Sequence, residues 1–456
     1  MKTECKQIEL VPQGTKGRKV VVRNDGEITS SDGGLILLSQ IERKRGFIKS
    51  LSGCCRDGRQ SGKISFSVAE LLSQRVFGIC LGYEDLCDHE QWRRDPLVSL
   101  ACGREHERGA LAGKSTLGRM ELSARDRSDG DRYHKLEWDT DAIRQLFVDA
   151  FLASYATPPT QIVLDFDATD DPVHGQQEGR FLQGFYDEYC FLPLYVFCGE
   201  HLLVADLRSS DRDAAWGSTA TLAFLVNRIR ERWPETRIIA RADSGFCRED
   251  FMSWCEHHEV SYILGLARNA RLIRKLGSAL QEAAEGCKRT GHAHRVFREL
   301  LYRTRSSWTC TRRVVGKAEH LPKGANPRFV VTNLPIELWP AKPLYEELYC
   351  ARGDMENRIK EQQLYLFADR TSCHAFKANQ LRLWLSSVAY LFFVELRRVA
   401  LVGTELATAQ VSTIRLKLLK VAVTVSSSVR RILLRLTQAY PYWDLWQSCA
   451  LAFSSA

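Results

Sequence analysis

Hydrophobic and polar positions alternate with period two along QIVLDFDATDD, from Gln161 to Asp171. In a strand this puts Ile162, Leu164 and Phe166 on one face and Val163, Asp165 and Asp167 on the other. Apolar runs at Cys190 to Phe197 and His201 to Leu207 flank a Gly199-Glu200 turn and read as a hairpin. Helical spacing then takes over from Thr219 to Trp233, with Leu222, Leu225, Val226, Ile229 and Trp233 on one side and Pro234 closing it. The strand RIIARAD runs from Arg237 to Asp243, followed by a helix from Arg248 to His257 and a strand from Tyr262 to Ala267. The predicted order is β-β-β-α-β-α-β, and two of its strands close on an acid.

The flanks have other textures. Residues 1 to 150 read as a mainly helical region after an extended start at Lys19 to Arg23, with Ser30, Ser31 and Asp32 offered as caps for the run Leu35 to Ile41. Residues 151 to 270 form the first part of an α/β core. Residues 271 to 340 open with a helix and continue as short Val-, Arg- and Thr-rich segments, which read as a β-rich insertion between the last sheet strand and the helices of 341 to 400. Residues 401 to 456 read as helical, the basic amphipathic stretch Thr413 to Leu436 included. In a ribonuclease-H-like architecture the strand order sets the first and fourth strands side by side, so that Asp167 and Asp243 meet at their carboxyl ends.

Composition narrows the class. The chain has 456 residues, is 45% hydrophobic and 26% charged, and carries a formal net charge of +9, which suits a globular protein with a polyanionic partner without requiring one. Its cysteines contain no CxxC, so reduced thiols are expected rather than a disulfide or zinc framework. The start lacks an apolar signal region, and the longest apolar stretch, Leu383 to Val394, is too short to span a bilayer. A cytoplasmic protein without membrane contact is the expectation. Basic clusters at Arg43 to Arg45, Arg93-Arg94, Arg119, Arg125 and Arg127 fit either solvated faces or a DNA-binding region. Arg303, Arg305, Arg312 and Arg313 offer the same choice.

A second informative stretch is Tyr345 to Phe367, YEELYCARGDMENRIKEQQLYLF. Helical spacing puts Tyr349, Arg352, Glu356, Lys360 and Gln363 on one face, a strip unsuited to a core. Glu356 supplies a third carboxylate beside the two strand-end acids, although Glu356 and Lys360 also make an ordinary i, i+4 pair.

With LDFDATDDPVHGQQEG, ADSGF, DRTS and NQLRL, these residues resemble a DDE transposase of a bacterial insertion sequence. The likeness is to insertion sequence family 1380, in the group with a Y-(2)-R-(3)-E-(6)-K signature. Tyr349, Arg352 and Glu356 match that signature; Gln363 stands where lysine is expected, and Lys360 lies one turn earlier on the same face.

The resemblance implies hydrolysis at each element end and joining of the freed 3′-hydroxyl to target DNA. It implies Asp167, Asp243 and Glu356 as catalytic acids and metal ligands, and two Mg²⁺ ions, with Mn²⁺ as the alternative. Asp165 is the rival first ligand, because it shares the strand face with Asp167. Tyr349, Arg352 and Lys360 would contact DNA phosphate, and Trp216 is either a stacking platform for an extruded base or an ordinary core aromatic. The implied partners are double-stranded DNA and a second copy of the chain on that DNA. A nuclease of the same architecture that does not join ends, and a non-catalytic DNA-binding descendant, are the rival readings.

Overall fold

The computed structural model describes residues 8–10, 20–24, 26–104, 109–123, 134–184, 187–428 and 430–454. Arg125 and Arg127 lie outside them. The centre is a nine-stranded mixed sheet. Its strands are β1 (Gln161–Ala168), β2 (Leu194–Cys198), β3 (His201–Asp206), β4 (Arg237–Ala242), β5 (Ser261–Leu266), β6 (His294–Tyr302), β7 (Arg312–Leu321) and β8 (Arg328–Thr332). They lie in the order β3-β2-β1-β4-β5-β8-β7-β6, with the short Gly324–Ala325 strand paired to β7. β1 and β4 are parallel neighbours, as are β4 and β5.

The alternation along β1 sorts its side chains as expected. Ile162, Leu164 and Phe166 pack with Leu222, Leu225, Val226 and Ile229 of helix α1 (Ser218–Arg232) and with Phe251, Met252 and Cys255 of α2 (Glu249–His257). Val163, on the other face, joins Ile239, Ile263, Leu344, Tyr345 and Leu348. That second face therefore meets the helical segment carrying Tyr349 and Arg352.

The segment 271 to 340 departs from expectation. It is rich in strands, but they do not stand apart: β8 pairs antiparallel with β5, with Ile263 opposite Thr332, and β7 and β6 extend the same sheet. The junction is locked by side chains. Thr332 Oγ1 donates to the Tyr262 carbonyl at 2.6 Å, and Asn333 accepts from Tyr262 N at 2.8 Å while donating to the Val260 carbonyl at 3.0 Å. An unpaired β5 edge would leave a row of backbone groups open, and β8 covers it. The arginines here are largely consumed inside the fold. Arg312 binds Glu249 and Glu256 of α2, Arg313 binds Glu299 and the Leu334 and Trp339 carbonyls, and Arg303 donates to the Trp308 carbonyl. Arg305 is exposed.

The carboxyl-terminal region is likewise not all helical. Residues Val423–Ser428 and Arg431–Leu436 form an antiparallel hairpin that also pairs with Thr29–Ser30. The run VTVSSS opens with three β-branched residues, which favour a pleated ribbon over a helix. At the amino-terminal side, the helix Leu35–Arg45 begins after Gly34 with no side-chain cap. Asp32 instead is buried and accepts from Tyr83 Oη, Trp92 Nε1 and Lys420 Nζ, each at 2.8 Å. Both flanks share one core, built around the long helix Phe376–Glu395. No described helix is long and apolar enough to cross a membrane, and the described cysteines are free.

Candidate active site at the strand ends

Three elements deliver carboxylates to one end of the sheet. Asp167 stands near the end of β1. Asp243 follows β4 directly and caps the short turn Ser244–Phe246, its Oδ1 accepting from Gly245 N at 2.8 Å. Glu356 lies in the first turn of helix α3 (Gly353–Leu366). The parallel β1-β4 pairing brings the first two together, because both strands run toward the same end in register, Ala242 opposite Phe166.

Arg352 joins the acids. Its Nη2 donates to Asp167 Oδ1 at 3.0 Å and its Nη1 to Glu356 Oε1 at 2.7 Å, while its buried Nε has no hydrogen-bond partner. Burial opposes the Arg352 charge, but Asp167, Asp243, Glu356 and Tyr349 together hold its pKa above the ordinary value. Asp167 answers in kind. Burial pushes its carboxyl up to about 6; Arg352 opposes the shift, and the neighbouring charges of Asp243 and Glu356 add to it. Asp167 thus senses both other acids, with a guanidinium among them.

The helical segment here is less regular than its spacing predicts. Leu344–Tyr349 is π-helical, Cys350–Arg352 is a 3₁₀ turn, and the α-helix starts only at Gly353. A widened turn followed by a tightened one re-aims Tyr349 and Arg352 relative to a uniform helix. Tyr349 reaches over Gly265 of β5, where an added Cβ would lie 2.6 Å from the Tyr349 hydroxyl and 2.8 Å from Ser244 N. Burial raises the Tyr349 pKa, Arg352 lowers it and Asp243 raises it further, which places the phenol beside the same group of charges.

Asp165 has a different occupation. It is 5% exposed and bound in a fork by Arg241, at 2.5 Å from Nε and 2.8 Å from Nη2. Arg241 also donates to the Leu348 carbonyl, fastening β4 to the segment that carries Tyr349. Arg241 was not singled out from sequence, yet aligning the ends of two parallel strands puts it opposite Asp165. Lys360 is exposed one turn beyond Glu356. Gln363, at the position where lysine is expected, donates to the Asp170 carbonyl at 3.1 Å and ties α3 to the loop after β1. His174 is exposed. Trp216 is 54% exposed, with the Arg212 guanidinium 5.4 Å from its ring centre, so it is not a core aromatic.

Among the described residues, no group of three or more His, Cys, Asp or Glu side chains is gathered closely enough to hold a metal ion. The donor chemistry nevertheless fits a hard divalent cation, since Asp167, Asp243 and Glu356 offer only carboxylate oxygens.

The family model for the transposase DDE domain, group 1, matches residues 13–455. No curated protein matches. Among solved structures the chain is similar to a piggyBac transposase in a synaptic complex with hairpin DNA, at 10% identity and a TM-score of 0.44, over 85% of this chain and 79% of that one.

Proposed function

The chain belongs to the transposase DDE domain group 1 family and is a DNA transposase, and from that premise we propose that Asp167, Asp243 and Glu356 form its catalytic triad. The observation that carries this reading is the Arg352 guanidinium bridging Asp167 and Glu356, with Asp243 within electrostatic reach. The sheet order β3-β2-β1-β4-β5 supports a ribonuclease-H-like core, in which β1 and β4 present the first two acids and α3 the third. The motifs around these residues support placement in insertion sequence family 1380 of bacteria. The helical amino-terminal region is proposed to bind DNA, and two copies of the chain to act together on the element ends.

The triad would hold two divalent cations, Mg²⁺ or Mn²⁺; when bound, such ions activate the attacking oxygen and stabilise the leaving one in an in-line displacement at phosphorus. The remaining roles belong to the chain. Arg352, whose Nη2 and Nη1 hold Asp167 and Glu356 in the free protein, would turn its planar fork of donors to a phosphate of the cleaved strand. Tyr349 packs against the Gly265 and Ser244 backbone and limits where that guanidinium can point. Lys360, exposed on α3, supplies a second cation toward the DNA backbone. Asp165 and Arg241 set the stagger of β1 and β4 rather than touching substrate.

The test is replacement of each acid by its amide, followed by separate assays of end binding, cleavage and strand transfer on a short DNA bearing the element ends. Asp167→Asn, Asp243→Asn and Glu356→Gln are each expected to fold, to bind ends and to cleave at least about 10³-fold more slowly, with double variants little worse than single ones, because residues acting as a unit are not additive. Full cleavage by Asp243→Asn or Glu356→Gln overturns the assignment. Cleavage without joining in the wild type would move the activity to that of a nuclease.

A further inference from the structure

Two motifs have no place in the triad, DDPVHGQQEG after β1 and DRTS before the helix Phe376–Glu395. The structure knits them together. Gln177 Nε2 donates to the Thr371 carbonyl at 3.3 Å, Glu178 N to the His374 carbonyl at 2.9 Å, and Phe376 N to Glu178 Oε2 at 3.2 Å.

At the heart of this junction is an excess of buried acceptors. Asp171 is 1% exposed, and neither of its carboxylate oxygens has a hydrogen-bond partner. Asp369 Oδ1, Thr371 Oγ1 and Gln177 Oε1 are buried and unpartnered as well. The Thr371 hydroxyl lies beside the Asp171 carboxyl and Asp369 is close enough to disturb it, yet no hydrogen bond of ordinary geometry forms. Thr371, itself 4% exposed, is an independent polar group directed at the same place. The nearby cation is Arg370, which is drawn to Glu84 at 2.5 Å and lies 3.9 Å from Asp369. Burial, then Asp369 and Asp170, push the Asp171 carboxyl well above its ordinary pKa, against the lowering influence of Thr371 and Arg370. Native proteins seldom leave buried acceptors without a donor or a cation, and an unpaired buried carboxylate is among the least tolerable of them.

We propose that Asp171, Asp369 and Thr371 bind a hard, oxygen-ligated divalent cation at a structural site separate from the triad. Two carboxylates and a hydroxyl are donors of the kind such ions take, with water completing the shell. The site clamps the loop after β1 to the segment entering the Phe376–Glu395 helix. Since Gln363 of α3 holds the Asp170 carbonyl, the clamp also steadies Asp167 against Glu356.

The test uses the full chain with all three triad acids replaced by amides, so that its outcome is independent of the triad assignment. Mn²⁺ binding is counted by electron paramagnetic resonance, and thermal melting is followed with Mg²⁺, Ca²⁺ or chelator. One ion per chain and a rise in Tm of several degrees with divalent cation are expected, both lost in the further variants Asp171→Asn and Thr371→Val. If Asp171→Asn fails to fold, Thr371→Val, which keeps both carboxylates, carries the comparison through its weakened ion binding. No bound ion and a cation-independent Tm in the triad variant overturn the proposal. So does a Tm that falls as pH rises and ignores divalent cations, the behaviour of a carboxyl held neutral by a proton.

Discussion

At the scale of single residues, Asp165 and Asp167 lie two positions apart on one strand face and have different partners, Arg241 and Arg352. Asp165 is spent on Arg241 in a buried fork, so Asp165→Asn should cost about 3 kcal/mol in urea unfolding, by leaving a guanidinium without its partner. Cleavage by the folded Asp165→Asn fraction should stay within about tenfold of wild type, the reverse of the pattern for Asp167→Asn. A third residue sets a pH limit. His89 is fully buried, its Nδ1 3.3 Å from the Gln74 amide and its Nε2 without a partner. Burial, helped by Arg75, lowers its pKa to about 3. The folded state therefore binds this proton less readily than the unfolded chain, whose histidine titrates near its ordinary value of about 6.5. The stability is fully present above about pH 6.5 and is lost as pH falls toward 3, by an amount on the order of 5 kcal/mol. Unfolding free energies of His89→Gln should show a shallower slope across that window; an unchanged slope would assign the acid sensitivity elsewhere.

At the scale of elements, the irregular helix from Leu344 to Arg352 and the glycine beneath it work as one part. Gly265 lets the Tyr349 hydroxyl and the Ser244 backbone approach β5 closely, and a methyl group there would collide with both. Gly265→Ala should lower cleavage by about 10- to 100-fold, because a shift near 1 Å in a catalytic group is enough for such a loss. The accompanying stability loss should be smaller, about 1–3 kcal/mol. Undiminished cleavage by this variant would mean that Tyr349 and the Asp243 turn need not hold their positions.

At the scale of the whole molecule, the helix Phe376–Glu395 ties the flanks to the sheet. Phe392 meets the rings of Phe47 and Phe77, at 5.5 and 5.7 Å between centres, while Tyr390 donates to the Glu200 carbonyl and Gln380 bonds the end of β3 at Ala205 and Leu207. Phe392→Ala should destabilise the protein by about 3–5 kcal/mol through the cavity it leaves. The amino-terminal helices and the sheet should lose structure together, as read by coincident circular dichroism and tryptophan fluorescence transitions. Two separated transitions would show that the flanks are an independent unit.

Local pattern decided much of this protein by itself. The period-two run through Asp167, the helical spacing of α1 and the acids at the ends of β1 and β4 depend on contacts between near neighbours in the chain, so they are written in the sequence. Partnership across the chain was decided only by the tertiary structure. That β8 covers the edge of β5 rests on a pairing about 70 residues apart, which an alternating pattern does not specify because any strand edge offers the same backbone groups. The hairpin Val423 to Leu436 takes Thr29–Ser30 as a third strand, a neighbour almost the whole length of the chain away. Which of Asp165 and Asp167 takes Arg241 was likewise a tertiary matter. Both point to the same face, and only the register of β1 against β4 brings Arg241 to one and leaves the other to Arg352.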